Sequence, residues 1–251
     1  MDSSFFCKIH IICLYSNPLI FKIELLIDII KNMKEKIVFI LLVLFAIGLR
    51  HLPYIYMPFE WLETYFHEMS HGLAAIITGG VIDHIELSFD GSGLCYTRGG
   101  WRWLVTFSGY AGAVWWGYWL YVGSSTLSTQ FSKMLSLGIA SLILISALFW
   151  VRDGVTLIII TFIISLFVAM VKLHNNDVTQ RLLQFSAIYV MISSIRLPLT
   201  LLTRDSSIHV GDGQSMANYT GIPVVIWLLI WLAFSLTGLY LAYRYQSKNI
   251  H

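Results

Sequence analysis

The chain has 251 residues, of which 57% are hydrophobic and only 12% charged, with a formal net charge of +2 and a mean hydropathy of +0.73. Soluble domains are about 45–50% apolar and about 25% charged, so sixteen Lys/Arg and fourteen Asp/Glu are too few to clothe a soluble surface of this size. The composition excludes an ordinary soluble globular protein, a disordered chain and, for want of a basic run, a nucleic-acid binder; the solvent that fits is a lipid bilayer crossed by several helices. The three cysteines, Cys7, Cys13 and Cys95, form no CxxC pair and read as small apolar residues.

Residues 1–32 are apolar but broken by Lys8, Pro18, Lys22, Glu24, Asp28 and Lys31, which is not the pattern of a secretory signal. A typical membrane-protein start appears at Met33, so residues 1–32 read as an N-terminal extension, either translated upstream sequence or a peripheral amphipathic segment. Residues 33–251 then form a single membrane-embedded domain without internal repeats. Stretches long enough to cross about 30 Å of hydrocarbon fall near 36–50, 59–78, 102–122, 133–151, 154–172, 181–203 and 222–244. They predict an all-α polytopic membrane protein with six or seven transmembrane helices. Spans four and five are separated only by Arg152-Asp153-Gly154, a tight helical hairpin or a broken helix. Lys31, Lys34 and Lys36 favour a cytoplasmic start.

Between spans two and three, Val81, Ile85 and Leu87 alternate with polar residues, and Asp90-Gly91 is a turn signal before a second short strand, Leu94 to Thr97. A small membrane-associated β-hairpin is expected there. Residues 204–221 form the other long polar segment and read as a solvated loop. Trp101, Trp103, Trp115, Trp116, Trp119, Trp227 and Trp231 read as an interfacial aromatic belt and lipid-facing bulk.

The second span carries the chemistry. His67-Glu68-Met69-Ser70-His71 is an HExxH motif. On a helix its two histidines lie on one face, about 6 Å apart along the axis, so their imidazoles can share one Zn²⁺. Glu68 can take the proton of a water whose pKa the metal lowers toward ~7. Ionisable groups inside an apolar helix are expensive and by default functional. Glu63, one turn before His67, reads as an interfacial carboxylate, with orientation of an imidazole N–H as its other role. Thr64 and Ser70 are expected to bond back to their own helix. A catalytic zinc site commonly has three protein ligands and one open position. The third ligand must come from elsewhere, and Asp153 and Asp212, each preceding a glycine where the backbone can bend, are the two candidates.

These residues resemble the M50 metallopeptidases, the site-2 protease class, and most nearly the M50B-like branch of small polytopic proteins. The resemblance is carried by HExxH followed by Gly72-Leu73-Ala74-Ala75 and Thr78-Gly79-Gly80, by Gly91-Ser92-Gly93, and by Ser108-Gly109-Tyr110-Ala111-Gly112. It resumes at Val151-Arg152-Asp153, Ile195-Arg196 and Asp212, followed by Ala217-Asn218-Tyr219-Thr220-Gly221-Ile222-Pro223 with Trp227 beyond. An aspartate just before a TGIP-like block is characteristic of that branch, so the resemblance ranks Asp212 ahead of Asp153. Neither aspartate has the Asn-Pro…Leu-Asp-Gly context of the site-2 proteases. The resemblance implies a zinc-dependent intramembrane protease of a bacterial cytoplasmic (inner) membrane, cleaving transmembrane or membrane-associated proteins. Zn²⁺ would be held by His67, His71 and Asp212, with Glu68 as general base and Asn218 or Arg196 positioning substrate or oxyanion. The hairpin offers strand addition to an unwound substrate segment. Two rivals remain: a transporter or channel with an intramembrane His/Glu relay, and a non-catalytic relative acting as a regulatory protein.

Overall fold

A computed structural model describes residues 18–52, 54–126, 129–203 and 211–246. Among these residues the chain is almost entirely helical. In order it runs α1 (Pro18–Leu49), α2 (Met57–Ile77), β1 (Val81–Leu87), β2 (Gly93–Arg98), α3 (Arg102–Thr126), α4 (Thr129–Trp150), α5 (Gly154–Lys172), α6 (Asn176–Thr203), α7 (Asp212–Thr220) and α8 (Val224–Gln246). Helix α1 continues without a break across the expected boundary at residue 32, while residues 1–17 of the expected extension lie outside the described residues.

Among the described residues, four helices are long and apolar enough to cross a membrane: Gln130–Trp150, Gly154–Lys172, Asn176–Thr203 and Val224–Gln246. The expected count of six or seven needs α1, α2 and α3 as well. Lys34, Glu35 and Lys36 interrupt the apolar run of α1, Glu60, Glu63, Glu68 and two histidines that of α2. Trp, Tyr, Gly and Ser dilute α3.

Helix α2 sits at the centre, packed against α3, α5, α6 and both strands. Helix α6 is buried on every side from Leu183 to Met191, as expected of a helix enclosed by neighbours rather than facing one. The N-terminal end of α2 is fastened by Glu60. Its carboxylate accepts from Arg50 Nη1, Tyr189 OH and Ser193 Oγ, each at 3.1 Å, and from Arg196 Nη2. The Arg50 guanidinium also lies 5.2 Å above the Tyr56 ring. One buried acid thus ties α2 to α6 and to the α1–α2 connection.

The hairpin forms as expected, with one change of phase. The buried side chains of β1 are Ile82, Ile85 and Leu87, and Val81 is exposed. Ile82 pairs with Thr97 and His84 with Tyr96, so two residues advance on β1 against one on β2. This β-bulge at Asp83 flips the side-chain alternation between Val81 and Ile85. Asp83 is bonded through both oxygens to Arg98 Nε, at 2.7 and 2.8 Å, and the guanidinium holds its carboxyl below the usual range. Thr156 of α5 meets the end of β1, its Oγ1 accepting from Leu87 N at 2.7 Å.

Residues 151–153 make a helical hairpin between α4 and α5. Arg152 donates to the carbonyls of Val151 and Phe149 at the end of α4. Asp153 N-caps α5, accepting from Thr156 N at 2.8 Å. Burial works to raise the Asp153 pKa, but its bonds to Thr156 outweigh this and hold it below the usual range. In the polar segment 204–221, residues 204–210 lie outside the described residues, and Asp212–Thr220 is helical rather than an open loop. Two left-handed glycines bracket α7, Gly211 at φ +97° and Gly221 at φ +72°. The expected aromatic belt also loses a member. Trp101, Trp103, Trp115 and Trp119 are exposed, but Trp231 is fully buried and donates from Nε1 to Phe107 O at 3.1 Å.

Candidate metal centre

The α-helical spacing of HExxH places the two imidazoles on the face of α2 that meets α3 and α7. His71 Nε2 and His67 Nε2 are 3.0 Å apart. Asp212 Oδ2 lies 3.0 Å from His67 Nε2 and 3.2 Å from His71 Nε2. His71 Nδ1 is 2.6 Å from the Val105 carbonyl; with Nδ1–H donating there, the Nε2 lone pair points toward the cluster. Three donor atoms therefore converge from sites 145 residues apart in the chain. Ligands around a tetrahedral zinc at about 2.0–2.1 Å stand about 3.3 Å from one another, so the spacing and the His-His-Asp donor set both fit that ion. The side chains of His67, His71 and Asp212 remain 13%, 10% and 22% exposed, open toward one cavity.

Each arm has an identifiable support. A Cβ on Gly109 of α3 would lie 2.5 Å from His71 Nε2 and 2.6 Å from His67 Nε2, so only glycine lets α3 approach the imidazoles. Nine-residue helices are marginal by themselves, and α7 is held by packing. Met216 is fully buried against Tyr110, Leu228 and Trp231, which brings Asp212 to the histidines. The Tyr110 ring stands edge-on to His67, with centroids 4.6 Å apart.

Glu68 is buried beside the cluster, with the Cys95 backbone of β2 against its carboxylate. A Cβ on Gly93 would meet Thr64 Cγ2 at 2.6 Å and Glu68 Cγ at 3.0 Å, so β2 can lie this close to α2 only through glycine. The resulting cavity of about 580 Å³ is walled by α2, β2, α3, the end of α6 and α7.

Not every expected residue lies at the cluster. Asp153 is engaged as the N-cap of α5 and is not among the converging donor atoms. Arg196 is bound to Glu60, and Asn218 is exposed and accepts from Gln214 Nε2 at 2.8 Å; neither lines the cavity. Glu63 is not interfacial: it is 1% exposed and accepts from Ser194 Oγ at 3.3 Å. Ser70 bonds back to Phe66 O as expected, but Thr64 donates across to Gly91 O at 2.6 Å and pins the hairpin turn. Gly109 and Tyr110 stand in the sequence only within the Ser108–Gly112 block of the resemblance, without a role, and the Val105 carbonyl has no signal at all, because these roles arise from the approach of α3 to α2.

A helical bundle with HExxH on a central helix, an aspartate from a late short helix and a hairpin alongside matches the membrane metallopeptidase type expected from sequence. The family model described as Peptidase M50B-like matches residues 37–242, and the chain belongs to that family. No curated protein and no solved structure matches it.

Proposed function

We propose that this protein is a zinc-dependent intramembrane endopeptidase acting on transmembrane or membrane-associated proteins. The observation that carries the reading is the convergence of His67 Nε2, His71 Nε2 and Asp212 Oδ2 within 3.0–3.2 Å of one another, with Glu68 at the wall of the same cavity. The M50B-like family supports it. In this reading α1, α2 and α3 complete a seven-span bundle, with the polar face of α2 turned to protein and cavity rather than to lipid.

His67, His71 and Asp212 would hold the ion. Zn²⁺, when bound, supplies Lewis acidity and lowers the pKa of water toward ~7. Glu68 removes a proton from the attacking water and later returns it to the amide nitrogen, so that the C–N bond breaks to an amine and a carboxylic acid, which then loses its proton to solvent. Val105 fixes His71 in the tautomer that presents Nε2. Strand β2 offers its backbone to an extended segment of substrate, which suits the chemistry because a helical substrate conceals its peptide bonds.

The test is to purify wild type and Glu68→Gln in detergent, measure metal content, and follow cleavage of single-span membrane-protein substrates. Both forms should hold one zinc per chain, and Glu68→Gln should lose about 10²–10⁴-fold in rate. A wild-type protein without stoichiometric metal refutes the reading.

A further inference from the structure

Among the described residues, Tyr110 is the one aromatic side chain of the cavity wall that touches the histidine pair. Its ring is fixed on two sides. The edge contact with His67 is at 4.6 Å and 86°, and the Trp231 ring lies 4.8 Å away at 41°. Trp231 is itself fully buried and anchored to the Phe107 carbonyl. Gly109, the preceding residue, lets the α3 backbone come this near. The phenol is therefore held in place by packing, and its residue is 9% exposed.

Its hydroxyl has no hydrogen-bond partner among the described residues, although it lies within electrostatic reach of Asp212, Glu63 and Glu68. The hydroxyl is not fully enclosed but keeps access to the cavity that Tyr110 lines, where a tyrosine O–H is free to take a partner. A phenolic O–H is a hydrogen-bond donor, so Tyr110 presents a donor to the cavity it lines. The two polar residues expected to position substrate are placed otherwise, Arg196 on Glu60 and Asn218 outside the cavity.

We propose that Tyr110 is a catalytic residue whose O–H donates a hydrogen bond to the oxyanion of the scissile carbonyl; this rests on the endopeptidase reading above. As the water oxygen bonds to the carbonyl carbon and its proton passes to Glu68, the C=O π pair moves onto the carbonyl oxygen. That oxygen accepts from Tyr110. When the C=O re-forms, the C–N bond breaks, its electron pair goes to nitrogen, and Glu68 returns the proton to the leaving amine. Tyr110 donates throughout and keeps its proton, so it begins and ends each turnover neutral. A donor placed in advance in a water-poor cavity stabilises charge that develops only in the transition state.

Tyr110→Phe keeps the ring, and with it the contacts to His67 and Trp231, and removes only the hydroxyl. Wild type, Tyr110→Phe and Glu68→Gln are compared in detergent, with a fluorescence-quenched single-span peptide as substrate and a peptide phosphinate as mimic of the tetrahedral species. Zinc affinity is read by chelator competition. Tyr110→Phe should bind zinc as wild type does and keep KM within about twofold, with kcat lower by about 10²-fold. The phosphinate should bind it at least about tenfold more weakly. A Tyr110→Phe enzyme with kcat within about threefold of wild type, or with its loss confined to KM or to zinc affinity, overturns the proposal while leaving the peptidase reading intact. A wild type that lacks zinc, or that cleaves no faster than Glu68→Gln, removes both.

Discussion

Two carboxylates on the same face-rich helix, Glu60 and Glu68, stand about two turns apart and are treated in opposite ways. Glu60 receives two guanidinium groups and two hydroxyls. Its charge is neutralised and its lone pairs are occupied, so it is a fastening between helices. Glu68 is as deeply buried but faces the cavity beside His67 and His71. No arginine reaches it among the described residues. A buried carboxylate surrounded by donors has its lone pairs occupied, whereas one with few partners keeps its oxygens open toward the cavity. The contrast separates structural from chemical acids on α2 by their neighbours, which residue type and depth alone would not do.

The contrast breaks most severely at the cluster itself. Gly109→Ala puts a methyl group where both imidazoles lie, and zinc affinity by chelator competition should fall at least about 100-fold. Loss of the hub acts on stability instead. Glu60→Gln strands Arg50 and Arg196, and thermal unfolding in detergent should show a loss of about 3 kcal/mol, the low end of the range for broken buried pairs because both arginines are partly exposed. The folded fraction of that variant should still bind one zinc per chain. The smallest effect belongs to Asp153. Asp153→Ala removes an N-cap and should cost about 1 kcal/mol, with zinc affinity unchanged within about twofold. A larger loss of zinc would return Asp153 to the ligand set.

The sequence made the motif-bearing half of the site legible because HExxH encodes its own geometry through the helical repeat. Asp212 stands beside Asp153 as a candidate and ranks first only through the TGIP-like block that follows it, since no local pattern links residues 145 positions apart. The hairpin was visible in its alternation, but the bulge at Asp83 was not, and so Val81 was expected inward where Ile82 is buried. Trp231 looks like any tryptophan of an apolar helix, and only the packing of α7 and α3 against α8 buries it. Glu63 failed for a similar reason: on a span with several acids, hydropathy points to an interface, whereas α6 covers it and Ser194 bonds it. Periodicity describes a helix against a uniform surround, and these residues are defined by particular neighbours.

The long chain separation of the three donor atoms has a consequence for biosynthesis. When α2 and α3 have emerged and packed, the histidine pair has formed with its Val105 and Gly109 supports. Asp212 joins it only once α7 has been made, and α7 is held in place by Leu228 and Trp231 of α8. The trio therefore closes only after α7 has been made and α8 has packed against it. A nascent chain, passing through the insertion machinery among other unfolded membrane segments, holds only two of the three donors. In the proposed reading, metal binding by all three donors therefore waits until α7 and α8 have packed.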